Sequence, residues 1–361
     1  ITPSTCNSGW ADCDGDAQTG CEAQLATDAV NCGQCGRGCG GGTCQAGQCR
    51  AAVLAETTAT SSSYIRGFHS DGLIVAWTSY PAHTASTIEL PVSTIPVEPN
   101  LIYTAPSGTA PDINTIVLDS DYVYFATTAT PSSVLRRALD GSGATTDLFQ
   151  AATSSRIYRM TASATAFYFT TYASGKYDFN RRPKTGTTAP APLPGLSGRG
   201  NVHAMLTTPT RLFWVESAAP VQVFSAPLDG GEPVSHDSNV GAYPDYVKLV
   251  TDGEYVYWNQ YRASGQVVRI NSETAETDEP EQIASGLQNT EGLLIDDEYL
   301  YLLINNYELR RVPLEGGIDP ILIANLSGAP YFYNPFGVDG EYVYGVGNGG
   351  EILRVAKAPS E

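Results

Sequence analysis

Cysteine is missing from most of this sequence of 361 residues, because all eight cysteines lie within the first fifty positions. Methionine (2) and histidine (4) are also scarce. No apolar stretch is long enough to span a bilayer as a helix. Nucleophile-elbow, metalloprotease-helix and phosphate-loop motifs are absent as well. These absences argue against a membrane-spanning protein and against the common hydrolase and nucleotide-binding classes.

Positive charge is also in short supply. The chain has 20 Lys and Arg against 38 Asp and Glu, so its net charge is −18. A surface of this sign repels phosphate backbones, which argues against a nucleic-acid partner. We interpret the acidic excess as a solubility feature, with cation binding as the alternative.

The cysteines form a dense, even-numbered cluster in a segment too short to build its own core. They are Cys6, Cys13, Cys21, Cys32, Cys35, Cys39, Cys44 and Cys49. Such a cluster predicts a disulfide framework whose pairing is left open by the spacing. A zinc site is the alternative, but there is one C-x-x-C and no histidine before His69. We therefore expect a disulfide-rich arm over 1–49 in a secreted, extracellular or cell-surface protein, whose first residue Ile1 follows a removed signal peptide.

One pattern returns seven times from about residue 64 onward. An acidic or glycine-containing turn precedes a run rich in aromatic and β-branched residues, such as YVYF after Asp121 or YVYW after Glu254. Equivalent positions are 43 to 48 residues apart: Ile74, Tyr122, Ala166, Arg211, Tyr255, Tyr299 and Tyr342. This period, with about four short strands per unit, predicts an all-β, seven-bladed β-propeller.

The ends of the repeat array indicate how the ring closes. The seventh unit stops after its third strand, ILRVAKAP (352–359), whereas AAVLAET (51–57) resembles a fourth strand. Because an open ring would leave a sheet edge unpaired, we expect a propeller over 50–361 that is closed by strand 51–57.

The second and third strands resemble those of YWTD-type propellers. Tyr257-Trp258 matches the opening aromatic pair, and Leu139-Asp140-Gly141 matches the closing turn. Arg136, Arg269 and Arg310 each follow an apolar residue, as the arginine of that repeat does. The Thr-Asp pair of the family is mostly lost, and receptor propellers of that type have six blades rather than seven. The resemblance therefore implies the fold and not the ligand.

The arm is similar to Cys-rich segments on exported proteins of myxobacteria. The similarity rests on Cys13-Asp14-Gly15-Asp16 and on Asn31-Cys32-Gly33-Gln34-Cys35-Gly36. This similarity implies that the protein is exported and located at the cell surface.

Propellers usually meet their ligands on the face where each fourth strand leads to the next first strand and each second strand leads to the third. The candidates that we expect on this face, in the fourth-to-first connections, are Asp112, Asn114, Arg156, Tyr158, Asn201, His203, Tyr243, Asp245, Asn289, Glu291, Tyr333 and Asn334. The second-to-third connections add Tyr172, Tyr177, Tyr261, Arg262, Asn305, Asn306 and Tyr307. Tyrosine, asparagine and carboxylate groups together suit a glycan; ordinary loop composition is the alternative. His203 is also the one histidine placed to act as a channel residue, as in propeller lyases.

Two features of the arm remain. Asp12, Asp14 and Asp16 alternate before Glu22, which is similar to the start of a calcium loop. A turn built on aspartate side chains is the alternative. We also expect ordered residues at the start of the arm to dock either on the parent propeller or on a neighbouring copy, the latter forming a filament.

Taken together, these features favour a non-catalytic extracellular binding or structural protein that binds a protein partner or its own copies. A carbohydrate-binding, lectin-like propeller is the alternative, and an extracellular lyase or hydrolase comes third. The one cofactor that the sequence suggests is calcium.

Overall fold

The computed structural model describes residues 6–57, 65–80, 82–105, 113–152, 154–217, 220–238, 240–328 and 330–357, without the side chains of Arg66 and Asn114. Within these ranges the fold is the predicted all-β, seven-bladed propeller, with seven four-stranded antiparallel sheets. The helix in this part of the chain is a 3₁₀ turn at Pro244–Tyr246. No helix there has the length and apolar character needed to cross a membrane.

The strands follow each other along the chain, blade by blade. The arm contains β1 (Trp10–Ala11), β2 (Ala23–Gln24), β3 (Cys44–Gln45) and β4 (Gln48–Cys49), followed by β5 (Ala52–Ala55). Blades 1 and 2 contain β6 (Ile65–Ser70), β7 (Ile74–Ser79), β8 (Thr84–Glu89), β9 (Asn100–Thr104), β10 (Ile113–Leu118), β11 (Tyr122–Thr127), β12 (Ser133–Ala138) and β13 (Thr146–Gln150). Blades 3 and 4 contain β14 (Arg156–Ala162), β15 (Ala166–Ala173), β16 (Lys176–Pro183), β17 (Ala191–Pro192), β18 (Asn201–Thr207), β19 (Arg211–Ser217), β20 (Gln222–Pro227) and β21 (Val234–Asp237). Blades 5 to 7 contain β22 (Leu249–Thr251), β23 (Tyr255–Asn259), β24 (Gly265–Asn271), β25 (Glu281–Leu287), β26 (Thr290–Ile295), β27 (Tyr299–Ile304), β28 (Glu308–Pro313), β29 (Ile321–Asn325), β30 (Phe332–Val338), β31 (Tyr342–Gly347) and β32 (Ile352–Ala356).

The sheets form a closed ring around their first strands. Each first strand contacts the first strand of the next blade, and β30 of blade 7 contacts β6 of blade 1. The fourth strand of blade 7 is β5, which pairs antiparallel with β32 so that Ala55 lies opposite Ile352. The N-terminal part of the chain therefore supplies the last strand of the ring. A domain boundary between 49 and 50 remains a prediction.

The hydrophobic core is divided among the blade interfaces. Seven apolar clusters each combine side chains of two neighbouring blades. Along β19, Leu212 and Trp214 pack against blade 3, whereas Phe213 and Val215 pack against blade 5. Successive side chains of a strand point to opposite faces of its sheet. Because both faces are covered, the middle residues of the second strands are successive apolar residues, such as Leu212–Val215, instead of alternating with polar ones.

An aspartate–tyrosine pair fixes the turn between the first and second strands in four blades. In blade 6, Asp296 Oδ1 accepts hydrogen bonds from the backbone N–H groups of Glu298 (3.0 Å) and Tyr299 (2.8 Å). Its Oδ2 accepts one from the hydroxyl of Tyr301 (2.7 Å). The other pairs with these contacts are Asp119–Tyr124, Asp252–Tyr257 and Asp339–Tyr344. The acidic turns of the repeat thus serve backbone geometry.

The third-strand arginines stack on tyrosines of the second strand, and their register corrects one sequence assignment. Arg136 lies opposite Tyr124 and Arg269 opposite Tyr257, but Arg311 rather than Arg310 lies opposite Tyr301. The Arg311 guanidinium carbon is 4.4 Å from the ring centre of Tyr299. The chain carries two consecutive arginines here, so an apolar residue before one of them does not decide which faces the tyrosine.

Four disulfides hold the arm together: Cys6–Cys21, Cys13–Cys35, Cys32–Cys44 and Cys39–Cys49. No described cysteine is free. The predicted disulfide framework is confirmed, and zinc thiolate ligation is excluded because every sulfur is in a disulfide.

The arm packs on its own propeller at blades 6 and 7. Arg354 donates to the carbonyl oxygen of Gly40 through Nε (2.9 Å) and Nη2 (2.7 Å). Arg37 Nη2 donates to the Ile323 carbonyl at 3.0 Å, and the Asn325 N–H donates to Gln48 Oε1 at 3.1 Å. These contacts correspond to docking on the parent propeller, one of the two arrangements expected from the sequence. The extreme N-terminal residues 1–5, on which that expectation was based, lie outside the described ranges.

We predict that Tyr301→Phe lowers the free energy of unfolding by about 1 to 3 kcal/mol, because it removes a buried hydroxyl from a charged acceptor. Burial raises the pKa of Asp296, but the hydrogen bonds from Lys357 and Tyr301 outweigh it, so the pKa lies below its ordinary value. The stabilisation is therefore present at neutral pH and is lost as the pH falls through that lowered pKa.

Denaturant titrations at neutral and acidic pH measure this effect, and Tyr299→Phe on the same turn is the matched control. We expect the deficit of Tyr301→Phe to shrink in acid. An equal loss in both variants would contradict the assigned role of the Asp296–Tyr301 hydrogen bond.

Candidate functional site

The candidate residues lie on what we call the upper face, formed by the fourth-to-first and second-to-third strand connections together with the adjoining strand ends. β-Bulges shape this face. In blades 2, 3, 4 and 6, one extra residue interrupts the register near the start of the first strand: Asn114, Tyr158, His203 and Glu291. A bulge re-aims a side chain relative to its neighbours. Four sequence candidates thus occupy equivalent backbone positions in their blades.

The structure places most candidates inside strands instead of in the predicted connections. Those within first strands are Asn114, Arg156, Tyr158, Asn201, His203, Glu291, Tyr333 and Asn334. Tyr243, Asp245 and Asn289 lie in connections, and Asp112 lies outside the described residues. The bulges explain the misassignment, because the extra residue breaks the alternating pattern that marks a strand in the sequence.

His203 is the centre of a hydrogen-bonded group whose members come from blades 3 and 4 and from the connection between blades 4 and 5. Its Nδ1 is 2.7 Å from Asp245 Oδ1, and its Nε2 is 2.5 Å from Ser217 Oγ. The guanidinium Nε of Arg159 in blade 3 donates to the His203 carbonyl at 2.7 Å. The Lys248 ammonium donates to the Asp245 carbonyl at 2.7 Å. The His203 side chain is 9% exposed and that of Asp245 is 73% exposed, so the imidazole is held below the rim of the face.

The charges in this group affect each other. Burial raises the pKa of Asp245, but the hydrogen bond from His203 and the charges of His203, Arg159 and Lys248 outweigh it and lower the pKa overall. Burial lowers the pKa of Lys248 to about 8, with Asp245 opposing that shift and Arg159 adding to it. Near neutral pH the group therefore contains an ionised carboxylate and a lysine close to its titration point.

Two groups of three tyrosines flank His203. In blade 3, Tyr158, Tyr172 and Tyr177 have ring centres 4.9 to 6.3 Å apart. Between blades 4 and 5, the ring centres of Tyr243, Tyr246 and Tyr261 are 4.7 to 6.1 Å apart. These are contact distances for aromatic rings. Tyr172 and Tyr243 expose their outer surfaces to solvent, so each group offers an apolar surface with a hydroxyl at its edge.

Four buried polar atoms on this face have no hydrogen-bond partner within the described part of the chain. They are Asn201 Oδ1, Arg262 Nε, Thr290 Oγ1 and Glu291 Oε2. Burial raises the pKa of Glu291, against hydrogen bonds from the Tyr261 hydroxyl and the Asn306 backbone N–H. Buried polar groups in native proteins normally have a partner. The upper face of blades 4 to 6 therefore offers unused hydrogen-bonding capacity.

Sequence reasoning missed Ser217, Arg159 and Lys248. Ser217 and Arg159 each contact His203 from another strand, so no spacing along the chain connects them to it. Lys248 lies three residues after Asp245 in the same connection, and its contact depends on how that connection folds.

The structure brings together some of the acidic residues that the sequence suggested as calcium ligands in the arm. Carboxylate oxygens of Asp12, Asp14 and Glu22 lie within 4.8 Å of each other, whereas Asp16 does not belong to the group. Glu22 Oε1 accepts the backbone N–H groups of Cys13 and Asp14, and Asp12 Oδ1 accepts that of Gly15. These bonds are those of the aspartate-built turn that was the alternative, and calcium binding remains a prediction.

The opposite face carries a cavity that the sequence did not reveal. It has a volume of about 1280 Å³ and lies between Gly36–Gly40 of the arm and the first-to-second-strand turns of blades 1, 6 and 7. Asp71, Asp296 and Asp339 are on its walls. Because the arm forms one wall of the cavity, the cavity could not be located from the sequence before the docking of the arm was known.

No sequence-family model and no curated protein sequence matches the chain. Its fold is similar to solved structures. The structure of a streptogramin B lyase has a TM-score of 0.60 at 12% identity, over 85% of this chain and 97% of that one. The structure of YCF48 bound to D1 peptide has a TM-score of 0.60 at 12% identity, over 85% and 96%. A puromycin-hydrolyzing peptidase of Mycobacterium tuberculosis has a TM-score of 0.55 at 14% identity, over 82% of this chain and 52% of that one. At these identities the likeness shows the propeller fold alone.

We predict that Glu291→Gln stabilises the protein more at pH 7 than at pH 4. The raised pKa of Glu291 means that the folded state disfavours the ionised form. Its contribution to stability is therefore present at low pH and is lost as the pH rises through the raised pKa. A glutamine side chain does not ionise in this pH range, so its contribution to stability does not depend on pH.

Thermal unfolding at the two pH values measures the difference, and Glu315→Gln, with an exposed side chain in a turn on the opposite face, is the control. A pH-independent effect of Glu291→Gln would contradict the account.

Proposed function

We propose that the protein is an extracellular binding protein whose partner, an exposed segment of another protein, sits on the upper face over blades 3 to 6. The observation that carries this proposal is the coincidence, on one face, of solvent-exposed tyrosines with buried polar atoms that have no partner in the described part of the chain.

The exposed tyrosines are concentrated on this face. Every tyrosine among the exposed large apolar side chains of the described residues lies there: Tyr172, Tyr243, Tyr307 and Tyr331. Tyrosine and arginine are enriched where proteins bind each other, because a flat ring covers much area and its hydroxyl keeps a hydrogen bond. Arg156, Arg159 and Arg262 lie on the same face.

The unpartnered polar atoms match the hydrogen-bonding groups of a peptide backbone. A peptide backbone carries one donor and one acceptor per residue. Asn201 Oδ1 and Glu291 Oε2 accept and Arg262 Nε donates, so an extended segment can satisfy both types. YCF48, a propeller of similar fold, is bound to a peptide.

The extracellular location rests on the arm. Four disulfides in a segment of about fifty residues are typical of proteins that mature in an oxidising compartment.

Self-association through the arm is a second candidate. Trp10 and Val30 are exposed on the arm and are free to meet another copy. The upper face, unlike the arm, combines exposed tyrosines with unpartnered polar atoms among the described residues, which is why we favour it as the partner site.

We predict that peptides selected from a displayed random library against the wild-type protein bind at least about tenfold more weakly to Tyr172→Ala and to Tyr243→Ala, since truncated anchor residues at interfaces cost this much or more. Ile318→Ala is the matched control, because Ile318 is similarly exposed but lies in a third-to-fourth-strand connection on the opposite face.

Calorimetric titration measures the affinities. Peptides whose binding depends on Trp10 instead of the tyrosines would contradict the proposed site and favour the arm. If a glycan array gives ligands that depend on Tyr243 while the peptide selection gives none, the partner is a sugar and the protein proposal is wrong.

A further inference from the structure

We propose that Ser217, His203 and Asp245 form an acyl-transfer triad that hydrolyses carboxylic esters at the upper face. This goes beyond partner binding and departs from the non-catalytic interpretation of the sequence. The three residues come from β19, β18 and the connection between blades 4 and 5.

The hydrogen-bonding roles follow from the geometry. Asp245 is ionised and can only accept, so His203 Nδ1 carries the proton of their 2.7 Å hydrogen bond. When the imidazole carries its single proton on Nδ1, the lone pair is on Nε2, and the 2.5 Å contact allows the Ser217 hydroxyl to donate to it. This is the chain of contacts that activates a serine, with a base beside the nucleophile and a carboxylate that orients the base.

The same blade contains a Ser–His pair that lacks these features. Ser225 Oγ is 2.8 Å from His236 Nε2, but Ser225 is fully buried and also accepts a hydrogen bond from Arg211 Nε at 3.0 Å. Burial and the nearby charge of Arg211 lower the pKa of His236 to about 4. The pair serves packing, and it provides an internal control for the reactivity of Ser217.

Neighbouring groups can complete the site. Asn201 lies directly opposite Ser217 in the β18–β19 register, so the two side chains share one face of the sheet. Only the Nδ2 group of the Asn201 amide can donate, so Nδ2 is the group that would stabilise the oxyanion of a tetrahedral intermediate. Arg159 holds the His203 backbone and acts as a positioning residue.

The reaction needs only water as a co-reactant. Ser217 Oγ attacks the ester carbonyl carbon and forms a C–O bond while its proton passes to His203 Nε2 and the carbonyl electron pair moves to oxygen. The intermediate collapses, the bond to the leaving oxygen breaks, and His203 returns the proton to the departing alcohol. Water then attacks the acyl–serine, gives its proton to His203, and the acid leaves as the proton returns to Ser217.

The test is covalent labelling of the intact wild-type protein with a fluorophosphonate, followed by peptide mass mapping. An activated serine displaces fluoride and retains the phosphonyl group. We expect one adduct on Ser217 and none on Ser225. The rate of p-nitrophenyl acetate hydrolysis should fall by about 10²- to 10⁴-fold in His203→Gln, which is the usual contribution of a general base. Ser217→Ala should show the same residual rate. Ser225→Ala should retain the wild-type rate.

The proposal is overturned if the folded wild-type protein gives no adduct at Ser217, or if Ser217→Ala hydrolyses the ester as fast as the wild type. The labelling of the wild type does not depend on any variant folding. Peptide binding by Ser217→Ala separates the two functions, since loss of esterase activity with retained binding leaves the binding proposal intact.

Discussion

The pairing of β5 with β32 is the interaction on which the rest of the structure depends. Each blade covers its neighbours, so seven sheets bury both of their faces only when the ring is complete. Without β5, Leu54 and Ala55 would be missing from the cluster between blades 7 and 1, and β32 would present an open edge. The same strand fixes the arm, because only two residues separate Cys49 from β5 and the arm must therefore lie beside blades 6 and 7.

This closure gives the two faces different roles. The arm and the acidic turns occupy the face opposite the upper face, where aspartates accept hydrogen bonds from backbone N–H groups and tyrosine hydroxyls. On the upper face, bulges turn single residues of the first strands out of the ladder, and side chains from different blades meet there. His203, Ser217 and Asp245 come together in this way. Binding and chemistry are therefore expected on the face that the arm leaves open.

The sequence predicted the parts of the fold that repeat. Seven aromatic runs at a regular interval determined the blade count, and the cysteine cluster determined the presence of disulfides but not their pairing. Features that depend on contacts between strands or blades were not accessible. The bulge in β18 interrupts the alternation that marks a strand, so His203 was identified but was placed in a connection, and Ser217 was not identified as its partner. The choice between Arg310 and Arg311 depended on a register that two adjacent arginines leave open.

The central claim is that the upper face over blades 3 to 6 holds a ligand. A crystal structure of the native protein, at a resolution that shows ordered water, tests it most directly. The account predicts electron density for water or a bound molecule within hydrogen-bonding distance of Asn201 Oδ1 and Glu291 Oε2, because buried polar atoms in native proteins are satisfied. A structure in which both atoms pair with groups of the propeller itself, with no such density beside them, would contradict it.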